Sequence, residues 1–232
     1  MSDAGFHNDQ IALSTARIIE GGTWKHQRAI LLLPAAEQVS TRCAMTWMNI
    51  MTPPNQPFVR MAVIGDEVGV AYSSAIEGIL QSPELRDFEY ILTVEHDNAV
   101  PPDGYLNLIK QMDKHPEYAA ISAIYWTKGE GGVPQIWGDI KDPVLNFRPQ
   151  PPVTGKLVEC YGIGMGFALW RLSMFKDPKL ARPLFKTKCS AEDGVGTQDL
   201  SFWSEARKHG YRCAVDCSIL VGHWDAARKI MW

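Results

Sequence analysis

Four short apolar runs, set off by turn-forming residues and separated by stretches of helical spacing, limit most strongly what this chain can fold into. They are Ala29 to Leu33, Phe58 to Ile64, Phe88 to Val94 (FEYILTV) and Ala119 to Trp126. Each has the length and apolar content of a buried strand, with β-branched and aromatic residues densest in the third. Pro34 is expected to stop the first, and Gly65-Asp66 to turn the second. Helices are expected from Gln38 to Met51, ended by Thr52-Pro53-Pro54, and from Val70 to Leu80, closed by Ser82-Pro83. A third starts at Asp103, where Tyr105, Leu108, Ile109 and Met112 fall at i, i+3, i+4 and i+7. This βαβαβαβ order implies an α/β fold, a mostly parallel sheet wrapped by helices. Ligands of such sheets bind beyond the carboxyl ends of the strands, which is where Glu95-His96-Asp97-Asn98 falls.

Composition supports one core of real size: 232 residues, 46% apolar and 21% charged. It excludes a disordered tail, a collagen-like fibre and a disulfide miniprotein. No apolar run is long enough to span a bilayer, and the opening MSDAGFHNDQ lacks the pattern of a signal peptide. Five cysteines, none in a CxxC pair, read as reduced thiols. The expectation is a soluble, cytoplasmic chain that uses no membrane. Residues 1–28 read as an N-terminal arm broken at Gly21-Gly22, and residues 29–232 as one domain without repeats. Residues 1–116 carry 8 Lys and Arg against 14 Asp and Glu, a balance of -6, while residues 117–232 carry 15 against 12, a balance of +3. That disfavours a basic coat for nucleic acid, yet leaves room for a local anion site in the second half.

Three places in the sequence carry chemistry. Glu95-x-Asp97, at a strand end, is either a solvated acidic turn or a pair of oxygen ligands for Mg²⁺ or Mn²⁺. His223, in Val221-Gly222-His223-Trp224 at the end of an expected last strand (Arg212 to Val221), is a structural histidine or a transition-metal ligand. Asp199, in Gly196-Thr197-Gln198-Asp199 at a helix start with Thr197 as N-cap and Gly210 past its end, is a favourable helix charge or a general base. Gly129 to Pro152 reads as an excursion over a site, and Ser190 to Thr197 as a flexible loop. Lys176 to Lys188 holds Lys176, Lys179, Arg182, Lys186 and Lys188 against Asp177, a solvated loop or a phosphate-contacting patch. Trp126, Trp137 and Trp170 are core residues or stacking platforms. Gly162-Ile163-Gly164-Met165-Gly166 is not a dinucleotide fingerprint, and His209, Cys213 and Cys217 fit no common zinc spacing.

Taken in order, FEYILTVEHDNAVPPDGYLNLI, YGIGMGFALWRLSMF and GTQDLSFWSEARKHGYRCAVDCSILVGHW resemble the GT-A fold glycosyltransferases, of the family-2-like kind found in phage and bacterial genomes. The resemblance covers residues 29–225. It implies a single-domain, Rossmann-like nucleotide-diphospho-sugar transferase fold, and a metal-dependent hexosyltransferase-type enzyme moving a sugar from a nucleotide-sugar to an acceptor hydroxyl. UDP is the default nucleotide by family habit, and inversion the expected outcome. By the same resemblance Asp97, Glu95 and His223 hold Mn²⁺ or Mg²⁺, and Asp199 is the base. Pro34 and Gln38 lie in the stretch that meets the nucleotide with Asp97 and Glu95. Gly164, Gly166, Trp126 and Trp137 belong to the acceptor side. The acceptor is a glycan, a protein hydroxyl or hydroxymethylated DNA, the last implying a bacteriophage DNA-modification role in a host cytoplasm. The chain departs from the family pattern in having Glu95 for the first Asp, Gln198-Asp199 for Glu-Asp, and Ala71-Tyr72-Ser73-Ser74-Ala75 where relatives carry Ala-Arg-Asn. Two alternatives stand beside this reading. A nucleotidyltransferase would carry a basic Gly-rich loop where Pro34-Ala35-Ala36-Glu37 stands, and a degenerate GT-A fold would serve only as a binding module.

Overall fold

The computed structural model describes residues 26–190 and 194–232. Most of the expected arm, including Gly21-Gly22, and part of the Ser190 to Thr197 loop therefore lie outside the described residues. Gln27 and Arg28 already belong to the folded body. Gln27 Nε2 donates to Asp113 Oδ2 at 2.6 Å, and Arg28 pairs with Glu89 at 2.6 Å.

The strands of the first half form in the expected order: β1 (Ala29–Ala35), β2 (Phe58–Ile64), β3 (Tyr90–Val94) and β5 (Ala120–Ile124), with a two-residue β4 (Asn98–Ala99) after β3. Between them lie α1 (Thr41–Met48), α2 (Val68–Gln81) and α3 (Gly104–Lys114). The second half adds β6 (Ile136–Asp139), β7 (Leu157–Ile163), β8 (Phe167–Arg171), the single turn α4 (Leu172–Phe175), a hairpin β9 (Lys188–Ser190) and β10 (Gly194–Gly196), α5 (Gln198–Ala206), β11 (Cys213–Leu220), β12 (Gly222–Asp225) and β13 (Ile230–Met231).

The central sheet has the order β2-β1-β3-β8-β5-β11-β7-β6. Pairing directions give β2, β1, β3, β5, β11 and β6 one sense, and β8 and β7 the other. The molecule is thus a mixed α/β structure, its large sheet mostly of one strand direction and flanked by helices. The sequence order alone did not show that GFALW enters this sheet. Phe167–Arg171 slots antiparallel between β3 and β5, buried along nearly its whole length. Gly129 to Pro152 is likewise more than an excursion, since β6 within it forms the sheet's far edge.

Pro34 does not stop β1, which runs on to Ala35. Ala35 O accepts from Gly65 N at 3.0 Å, so Ala35 faces β2 and Pro34, one residue earlier, faces the other side. There the ladder to β3 has already ended at Leu32 and Thr93, so the proline's missing N–H breaks no bond.

Alternation along the strands sends side chains to two cores. Ile30, Leu32 and Ile91 join Tyr72, Ile76 and Ile79 of α2 and Trp203 of α5 on one face. Leu31, Tyr90 and Leu92 join Trp47 of α1 and Tyr105, Leu108 and Met112 of α3 on the other. An aromatic cluster fixes α5: Trp170 stacks on Trp203 at 5.4 Å, and Phe185 on Phe202 at 4.6 Å. Trp170 is therefore a core residue. Among the described residues no helix is long and apolar enough to cross a membrane.

Candidate functional site

At the carboxyl ends of β1, β2 and β3 lies a cavity of about 550 Å³, lined by Pro34, Glu37, Asp66, Glu95, His96 and Asp97 among others. Such a volume suits a small-molecule ligand. Pro34, Glu95 and Asp97 thus line one cleft. Gln38 is exposed and absent from its lining. Among the described residues this lining carries four carboxyl groups and neither lysine nor arginine.

Backbone pairing brings His223 to Asp97. β12 adds antiparallel to β4, setting His223 opposite Asn98, and Trp224 N donates to Asp97 O at 2.7 Å. His223 Nε2 then lies 3.6 Å from Asp97 Oδ2. Its Nδ1 sits 2.7 Å from the Trp126 carbonyl, an acceptor only, so Nδ1 carries the hydrogen. Nε2 is therefore the ring nitrogen that faces the carboxylate.

Lys128 completes this corner, and nothing in the sequence had pointed to it. Its Nζ donates to the same Asp97 Oδ2. The lysine sits on the turn after β5, closed by Thr127 N donating to Val133 O at 2.9 Å and Val133 N donating to Thr127 Oγ1 at 2.9 Å. Gly129, at φ 101°, and Gly131, at φ 78°, supply backbone that other residues rarely adopt. Burial pushes the Asp97 carboxyl up, but the neighbouring His223 and Lys128 outweigh it and hold the group well below the usual carboxylate range.

Glu95 behaves in the opposite way. Burial, together with the charges of Asp97 and Asp199, raises its carboxyl to about 8 against the opposing pull of Lys128. Asp199, in the first turn of α5, is 8% exposed, and its Oδ1 accepts from Leu200 N at 2.8 Å. Burial raises its carboxyl, offset in part by hydrogen bonds from Thr197 and Leu200. Thr197 stands at the N-cap position with no side-chain bond capping the helix, and Gly210 ends the following turn at φ 82°.

Two buried tyrosines adjoin these carboxylates. Burial first, then Glu95 and Asp199, push the hydroxyls of Tyr72 and Tyr125 well up. Tyr125 OH accepts from Gly166 N at 2.9 Å, whereas Tyr72 OH has no partner among the described residues. Tyr72 stands in the stretch that departs from the Ala-Arg-Asn pattern.

The glycines of GIGMGF are explained by close approach. A Cβ on Gly164 would lie 2.2 Å from Tyr125 OH, and one on Gly166 would lie 2.5 Å from Asn98 Oδ1. Gly166 O also accepts from Glu95 N at 3.1 Å, tying this segment to the acidic pair. Trp126 holds His223 through its carbonyl. Trp137 donates to Gln135 Oε1 at 2.7 Å, beside Gly164. The residues assigned to the acceptor side thus gather around Tyr125 and His223.

The basic segment is partly spent on structure. Lys176 lies 3.7 Å from Asp87, and Arg182 pairs with Glu77 at 2.8 Å. Ser73 Oγ donates to Phe185 O at 3.1 Å and accepts from Phe185 N at 3.0 Å, and Thr187 Oγ1 donates to Glu67 at 2.7 Å, so the strap lies along α2. Lys186 and Lys188 line a separate notch of about 150 Å³ with Lys208 and Glu205.

Among the described residues no three of His, Cys, Asp and Glu come together as a group able to hold a metal ion. Asp97 and His223 offer two donor atoms, and an ammonium already rests on the shared carboxylate oxygen. This donor set does not fit a resident divalent ion held by the protein.

No protein-family model matches the chain, and no curated protein does. Among solved structures, the crystal structure of A197 from STIV aligns with a TM-score of 0.59 at 14% identity, over 88% of this chain and 93% of that one. At that identity the likeness is one of fold.

Proposed function

We propose that the chain is a glycosyltransferase that takes a nucleotide-sugar in the cleft beyond β1, β2 and β3 and passes the sugar to an acceptor hydroxyl. The observation that supports this reading is the placement of Glu95 and Asp97 in the strand-end cleft, with His223 3.6 Å behind Asp97 and Asp199 close enough to raise the Glu95 carboxyl. UDP is the nucleotide proposed, by resemblance. In the transfer, the acceptor oxygen forms a bond to the anomeric carbon. The bond from that carbon to the diphosphate breaks, its electron pair leaves on the phosphate oxygen, and the hydroxyl proton passes to Asp199. A buried carboxylate of raised basicity is suited to that proton. In-line attack inverts the anomeric centre.

Nucleotide release from a panel of UDP-, GDP- and dTDP-sugars tests this, with glycan, protein and hydroxymethylated DNA acceptors. Asp199→Asn is expected to lower turnover by about 10²- to 10⁴-fold with donor binding kept. Full activity in that variant, or a product of retained configuration, removes Asp199 as the base.

A further inference from the structure

An anionic diphosphate in this cleft meets the carboxylates of Glu37, Asp66 and Asp97 beside the Glu95 carboxyl, so its entry needs a cation. Among the salt bridges of the described residues, that of Lys128 with Asp97 is the one that brings a lysine or arginine to this lining. We propose that Lys128 is the cation of this site, bridging Asp97 to the ligand's diphosphate, so that the nucleotide binds without a divalent ion. The inference rests on the nucleotide-sugar reading above and deepens it.

Three features of the geometry lead there. The Lys128 ammonium donates to Asp97 Oδ2, the oxygen that also lies 3.6 Å from His223 Nε2, and so places a positive charge at the edge of the cleft. An ammonium carries three N–H donors, and Asp97 takes one. The other two remain for phosphate oxygens, since among the described residues Lys128 has no second acceptor. The Thr127 to Val133 turn, closed by its two hydrogen bonds, sets where the lysine stands, so little ordering is left for the ligand to impose. As the bond to the sugar breaks, the electron pair arriving on the diphosphate lies beside a fixed positive charge. No redox partner or further reactant is needed.

The test is titration calorimetry of UDP into the full chain in EDTA, repeated with Mn²⁺, for wild type, Lys128→Ala and Lys128→Arg. Circular dichroism melting of each variant confirms folding. The expected result is UDP binding to wild type in EDTA, changed little by Mn²⁺, and weakened about tenfold or more in Lys128→Ala. Binding in Lys128→Arg is expected to fall between the two. UDP binding that appears only with Mn²⁺, or that survives Lys128→Ala intact, overturns the role of the lysine and leaves the nucleotide reading standing. Absence of UDP binding to wild type under both conditions overturns that reading and this inference with it.

Discussion

Glu95 and Asp97 are two residues apart and titrate in opposite directions, because only Asp97 touches positive charge. The Glu95 carboxyl, raised from an ordinary 4.5 to about 8, keeps its proton in the folded chain after the unfolded chain has lost it. Between those pH values unfolding releases a proton, so Glu95 makes the fold less stable as pH rises through the window. Glu95→Gln does not titrate. Its melting temperature relative to wild type should climb from about pH 4.5 and level off above about pH 8. A difference that stays flat with pH would show that the carboxyl is not buried as described. Asp97 has the reverse sign: its contribution is complete above its ordinary 3.8 and is lost only as pH falls further. Of these residues, the sequence made Glu95, Asp97, His223 and Asp199 legible because each follows a strand or opens a helix. Lys128 was not legible. It lies 31 positions from Asp97 on a glycine-rich turn, and the pairing exists only once β3 and β5 flank β8.

Among the elements, α2 shows what the Tyr72-Ser73-Ser74 stretch does physically. Ser73 is buried, and its hydroxyl serves both the N–H and the carbonyl of Phe185, pinning the strap to the helix. Ser73→Ala strands two buried backbone groups and should cost about 1–3 kcal/mol. Ser74, bonded among the described residues only within its own helix, to Val70 O and Ala71 O, should cost within about 0.5 kcal/mol on the same change. Urea denaturation of the two variants checks this, and equal losses would contradict it. Element boundaries followed from local chemistry where that chemistry acts alone: β2 occupies Phe58–Ile64 as its pattern indicates. They failed where tertiary pairing decides. Pro34 remains in a strand because its neighbour on that side has ended, and β8 is read correctly only through its two partners.

For the molecule as a whole, the alternation of strands and helices was enough to foresee an α/β body with its cleft at the strand ends. It could not foresee that the second half threads an antiparallel strand through the middle of the sheet. Nor could it foresee the small sheet of β4, β12 and β13 that delivers His223 to Asp97. Both arise from contacts far apart in the chain, which periodicity does not record. The central claim is that the cleft binds a nucleotide diphosphate. Its most direct test is the melting temperature of the full chain with UDP, GDP, dTDP or uridine, each with and without Mn²⁺. A ligand at 100 times its dissociation constant stabilises the fold it binds by about 2.7 kcal/mol. A clear rise is expected with one diphosphate and none with uridine, the rise falling to about half or less in Lys128→Ala. No rise with any diphosphate under either condition would contradict it and leave the cleft without its proposed ligand.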